Sequence, residues 1–126
     1  MSNDVFIQAY AGGSPAPIRV QAIVAVAQPF VIEESPGFAL IQTQDGGADF
    51  LGYGDDSGLA VVGASGREIW DLVVAITQVT GAAILPAGRP PLVVDLATIQ
   101  EMPEEMRASA GLVTTGEELM GILGIA

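Results

Sequence analysis

Phe38-Ala39-Leu40-Ile41-Gln42, Ala48-Asp49-Phe50-Leu51-Gly52-Tyr53 and Leu59-Ala60-Val61-Val62 are three short apolar runs. Two turn-forming stretches divide them, Gln44-Asp45-Gly46-Gly47 and Gly54-Asp55-Asp56-Ser57-Gly58. Asp and Gly supply the bent backbone that joins antiparallel neighbours, so the pattern predicts a three-stranded meander. Gly63-Ala64-Ser65-Gly66 follows and leads into Arg67-Glu68-Ile69-Trp70-Asp71-Leu72-Val73-Val74-Ala75-Ile76. There the apolar period changes from two to 3.6, because Ile69, Leu72, Val73 and Ile76 share a helical stripe. The spacing predicts a helix over Gly66–Val79. Ser65 and Glu68 stand at capping-box distance, and Gly81 supplies the left-handed stop.

Upstream, Val5–Tyr10 reads as a first strand that ends at Gly12-Gly13. Ser14-Pro15 has the form of an N-cap followed by a first-turn proline, which predicts a helix over Pro17–Gln28, stopped by Pro29. Phe30–Ile32 is a short extended piece before the turn Glu34-Ser35-Pro36-Gly37. Downstream, Ala82–Leu85 and Pro91–Val94 read as strands. The second is expected at a sheet edge, because proline cannot donate into a ladder. Asp95 caps a short helix over Leu96–Glu101, and Pro103–Ala108 adds a turn. Thr114 and Glu117 repeat the capping-box spacing before a last helix to Leu123.

The order is β-α-β-β-β-α-β-β. The fold class is therefore α+β: one antiparallel or mixed sheet, two main helices on one face and short C-terminal helices, in a single domain over residues 1–126. The other sheet face is either covered by the C-terminal helices or left in water, where it would favour self-association.

Composition narrows the chemistry. The 126 residues hold four arginines, no lysine and no histidine against fifteen carboxylates, a net charge of −11, and no cysteine. That excludes a histidine general base, a Ser-His-Asp triad, a thiolate nucleophile, a lysine Schiff base and a Cys/His zinc cage. Half the residues are apolar and the mean hydropathy is +0.50, a composition that folds. No stretch is apolar enough to span a bilayer, and Met1-Ser2-Asn3-Asp4 has no basic leader, so the expected location is the cytoplasm. Sixteen glycines without a lysine fit a GC-rich bacterial coding sequence. Arg19, Arg67, Arg89 and Arg107 are too few and too scattered to hold phosphates, which argues against nucleic acid and against an anionic membrane.

Three constellations carry candidate chemistry. The loop Gly63, Ser65, Gly66 and Arg67 before the second helix offers free amides to an anion, the alternative being a plain helix cap. It lacks the lysine of a P-loop, and Arg67 stands where a nucleophile elbow has its last glycine. Asp45, Asp49, Asp55 and Asp56 flank glycine turns, but they miss the calcium-loop spacing. The two turns also lie at opposite ends of one strand, about 15–20 Å apart at ~3.3 Å per residue. The pairs Glu33/Glu34, Glu104/Glu105 and Glu117/Glu118 point in diverging directions and make no acid–base dyad alone. Trp70 reads as core, and Met102 and Met106 as packing residues.

These observations lead to an expected function without catalysis, metal or cofactor. The chain reads as an acidic protein-binding module, inhibitor-like or immunity-like, that masks a basic partner surface. Glu33, Glu34, Asp45, Asp49, Asp55, Asp56, Glu104 and Glu105 are its candidate contact residues. The alternatives are a small-ligand, anion-binding or enzymatic domain built on Gly63–Arg67, and a structural homo-oligomer.

Overall fold

The computed structural model describes residues 3–125. Nine strands join one sheet: β1 (Val5–Ala11), β2 (Ser14–Ala16), β3 (Val31–Ser35), β4 (Gly37–Gln42), β5 (Gly47–Tyr53), β6 (Leu59–Ser65), β7 (Ala83–Pro86), β8 (Leu92–Val93) and β9 (Gly111–Leu112). Their lateral order is β3-β4-β5-β6-β1-β7-β8-β9, with β2 paired to β1. Every pairing is antiparallel except β8 with β9, so the sheet is mixed and the class is α+β, as the element order predicts. The helices are α1 (Val20–Ala27), α2 (Glu68–Thr80), α3 (Ala97–Glu101), α4 (Glu104–Arg107) and α5 (Gly116–Leu123).

The central meander forms where the sequence places it. Its inward residues alternate: Ala39 and Ile41 on β4, Ala48 and Phe50 on β5, Leu59 and Val61 on β6 are all buried. They meet Ile69, Leu72, Val73 and Ile76 of α2 in the main core, with Ile23 and Ala27 of α1 and Leu119, Met120 and Leu123 of α5. Trp70 lies in this core too, as expected of a lone tryptophan on an apolar helix. The α1, α2 and α5 helices thus share one face of the sheet, and α2 ends at Gly81 in the left-handed region, φ 68°.

The opposite face is divided. Ala83, Val93 and Met102 form a second cluster, with Tyr10, Leu85, Ile99 and Met106 packed against it. Strand residues alternate faces, and Ile84 and Leu92 belong to the main core, so this cluster lies behind the sheet, under the α3–α4 segment. The segment covers only the β1-β7-β8 end. The β3–β6 end carries no helix among the described residues.

Four local expectations are corrected. Ser14-Pro15 does not start α1. Gly12 and Gly13 both take positive φ, 59° and 85°, and make a two-residue hairpin turn, so Ser14–Ala16 folds back as β2 on β1 and α1 begins only at Val20. Ser65 does not cap α2: it is the last residue of β6, and the N-cap position is Arg67. The last helix is capped one residue later than predicted. Thr115 accepts the Glu118 amide at 3.1 Å, and the Glu118 carboxylate reaches back to the Thr114 amide at 3.0 Å. Finally, β8 is not an edge strand, because β9 pairs on its far side. Pro91 lies just before β8 and contributes only its carbonyl, which accepts from the Gly111 amide at 2.9 Å, so its missing N–H leaves no gap in the ladder.

Candidate acidic cleft

The hairpin register sets up the site. Gly37 pairs with Tyr53, which places the turn Ser35-Pro36-Gly37 beside the turn Gly54-Asp55-Asp56. The chain entering α1 is tied to the same place, since the Ile18 amide donates to the Asp56 carbonyl at 2.8 Å. Between the two turns and the first residues of α1 lies an open cleft of about 1040 Å³. Val20, Gln21, Glu34, Tyr53, Asp55 and Asp56 are among its lining residues. Three carboxylates therefore share one concavity, and no arginine lines it.

The Tyr53 side chain forms the floor. It is buried against the core, and its hydroxyl lies 3.4 Å from Gln28 Oε1. Burial first, and the negative Glu34 second, raise its pKa above the ordinary value. Asp55 accepts the Ser57 amide at 3.0 Å, and this bond lowers its pKa, so the carboxylate stays ionised and fixed in the turn. Glu34 pairs across β3–β4 with the inward Ala39, which sets it on the helix side of the sheet rim.

The other predicted residues are placed elsewhere. Glu33 pairs with Leu40, and Asp49 lies between Leu40 and Val62, so both stand on the face away from the main core. Glu104 and Glu105 form the exposed first turn of α4. Asp45 serves α2: its carboxylate accepts the Arg67 amide at 2.8 Å and the Glu68 amide at 3.3 Å, and also the Thr43 hydroxyl at 3.1 Å. These bonds, that to Arg67 foremost, lower its pKa. The anion that the Gly63–Arg67 loop was expected to offer a ligand site is thus supplied by the chain's own β4–β5 turn. Gly66, φ 87°, makes room for it, and the Gly63 amide donates to Asp4 at 3.1 Å.

Among the described residues, six carboxylates hold backbone amides: Asp4, Asp45, Asp55, Asp95, Glu101 and Glu118. Three of the four arginines donate to backbone carbonyls. Arg19 serves Val79 at the end of α2, Arg89 serves Ile122 and Leu123, and Arg107 serves Met102. The Tyr53 floor and the part of Gln21 in the cleft had no signature in the sequence, because only the sheet register brings them to the acids.

Among the described residues, no cluster of three or more carboxylates is placed to hold a metal ion, and no helix is long and apolar enough to cross a membrane. Comparisons with protein-family models, with curated proteins and with solved structures find no match.

Proposed function

We propose that the chain is a non-enzymatic acidic binding module, acting as an inhibitor or immunity-like protein, whose cleft receives a lysine or arginine side chain from a basic surface of its partner. One observation carries the reading: Glu34 and the Asp55-Asp56 pair, distant in sequence, line the same open concavity with no cation among the lining residues. Opposed charge steers encounter over roughly a Debye length, ~8 Å at physiological salt. The anion-ligand alternative has less support, because the first amides of α2 are held by Asp45.

The test is a nuclear magnetic resonance titration with a short arginine-rich peptide. Shifts confined to residues 20–21, 34–37 and 53–56, reduced by salt and lost in the Glu34→Gln/Asp56→Asn pair, are expected. Shifts spread evenly over every exposed carboxylate, or unchanged in the pair, overturn the reading.

A further inference from the structure

The β3–β6 half of the sheet face opposite the main core, together with the adjoining β1, carries a continuous apolar row. Phe38 pairs with Leu51, Leu51 with Ala60, and Ala60 with Phe6. Paired residues on neighbouring strands project to one side, so these four side chains line up across four strands. Leu40 and Val62 flank Asp49 in the adjacent row. Leu51 is 44% exposed and Ile32 58% exposed, although both belong to strands. Ile32, Leu40 and Asp49 also line a shallow groove of about 320 Å³ on this side.

We propose that this half-sheet docks one amphipathic helix of a partner protein, with lysine or arginine beside its apolar stripe. The dimensions suit a helix. Four strands at ~4.8 Å spacing give a platform about 14 Å wide, against a helix diameter of ~10–12 Å. The charges select a basic one. Glu33 and Asp49 stand beside the apolar residues. The four arginines lie on other parts of the molecule: Arg19 at α1–α2, Arg67 with Asp71 and Glu117 at α2–α5, Arg89 at α5 and Arg107 at α4. A second copy is the poorer occupant. It would set Glu33 and Asp49 against their own counterparts and add one charge of −11 to another. This surface lies on the other side of the sheet from the cleft and does not depend on it.

The experiment is a nuclear magnetic resonance titration with a synthetic leucine–lysine peptide patterned as an amphipathic helix. The controls are a scrambled peptide of the same composition and a leucine–glutamate version. Expected are shifts at Leu40, Asp49, Leu51, Ala60 and Val62 with the first peptide only. Leu51→Ser, which removes an apolar contact buried only on docking, weakens binding roughly tenfold. Asp49→Asn, a rim charge that leaves the core intact, weakens it about threefold and reduces the salt dependence. The Glu34→Gln/Asp56→Asn pair gives the same shifts at these half-sheet residues. Equal shifts at these five residues with the scrambled peptide, shifts confined to the cleft residues 20–21, 34–37 and 53–56, or unaltered affinity in both Leu51→Ser and Asp49→Asn overturns the proposal. So does a dimer of the chain alone, seen by sedimentation and abolished by Leu51→Ser, which would assign the face to a second copy.

Discussion

Replacing Arg89 with methionine should loosen the end of α5 and lower the melting temperature by about 5–6 °C. The last four carbonyls of α5 are all accounted for. Met120 and Gly121 accept from the Ile125 and Gly124 amides at 2.9 and 3.2 Å, around a left-handed Gly124 with φ 75°. Ile122 and Leu123 are left to Arg89, whose Nη1 and Nη2 donate at 2.8 and 3.2 Å from the β7–β8 turn. Truncation hands these two carbonyls to water, so the loss is the net value of each bond, roughly 0.5 kcal/mol at an exposed site. The cation's attraction to the helix C-terminus adds about 0.5 kcal/mol. The sum is about 1.5 kcal/mol, and unfolding 126 residues with an entropy of ~2.1 cal/mol/K each converts it to the shift above. Arg89→Lys keeps the charge and one donor and should recover about half. Thermal melts followed by circular dichroism measure the shift, and amide exchange in residues 116–123 shows where it arises. A melting point in Arg89→Met equal to that of the parent, with unchanged exchange in α5, refutes the reasoning.

Other outcomes follow from the same geometry. Gly46→Ala would set a Cβ 2.1 Å from the Ser65 carbonyl oxygen, so the backbone must part, and a loss of about 1–3 kcal/mol is expected in denaturant titration. Thr115→Ala removes the acceptor for the Glu118 amide and should cost about 1 kcal/mol in the same assay. Asp45, Asp55 and Glu118 have folded pKa values below their ordinary values of 3.8, 3.8 and 4.5. Their contribution is therefore complete above those values and is lost as pH falls through the lower folded ones; Asp45→Asn should flatten this acid limb in pH-dependent melts. In a Tyr10→Phe background, Glu34→Gln should bring the Tyr53 pKa part of the way down, with burial keeping the rest of the rise; ultraviolet titration reads it directly.

The meander, α2 and its glycine stop were legible because each obeys a local rule: turn chemistry at fixed spacing, a clean change of period, a left-handed terminus. Misread points arose where two local rules competed or a distant group intervened. Ser14-Pro15 satisfies a helix start, yet the Gly12-Gly13 pair before it makes a hairpin, and pairing with β1 prevails. Ser65 has capping spacing to Glu68, yet Asp45, twenty-two residues before Arg67, holds those amides. Thr114 and Thr115 both precede glutamates at similar spacing, and only the backbone geometry separates them. For the acids, the sequence offered eight candidates as one set. The fold distributes them into a cleft, an open sheet face, a helix cap and a solvated turn, because register across three hairpins decides which distant carboxylates become neighbours.

The excess of fifteen carboxylates over four arginines has a further consequence, for colloidal behaviour. Hydrogen bonding to carbonyls leaves the arginine charges in place, and the net −11 makes molecules repel one another. That repulsion vanishes near the isoelectric point of about 4.1, above the ordinary 3.8 below which the folded Asp45 and Asp55 carboxylates lie. Acidification should therefore precipitate the protein before it yields a dispersed unfolded state, and light scattering should rise ahead of the loss of ellipticity.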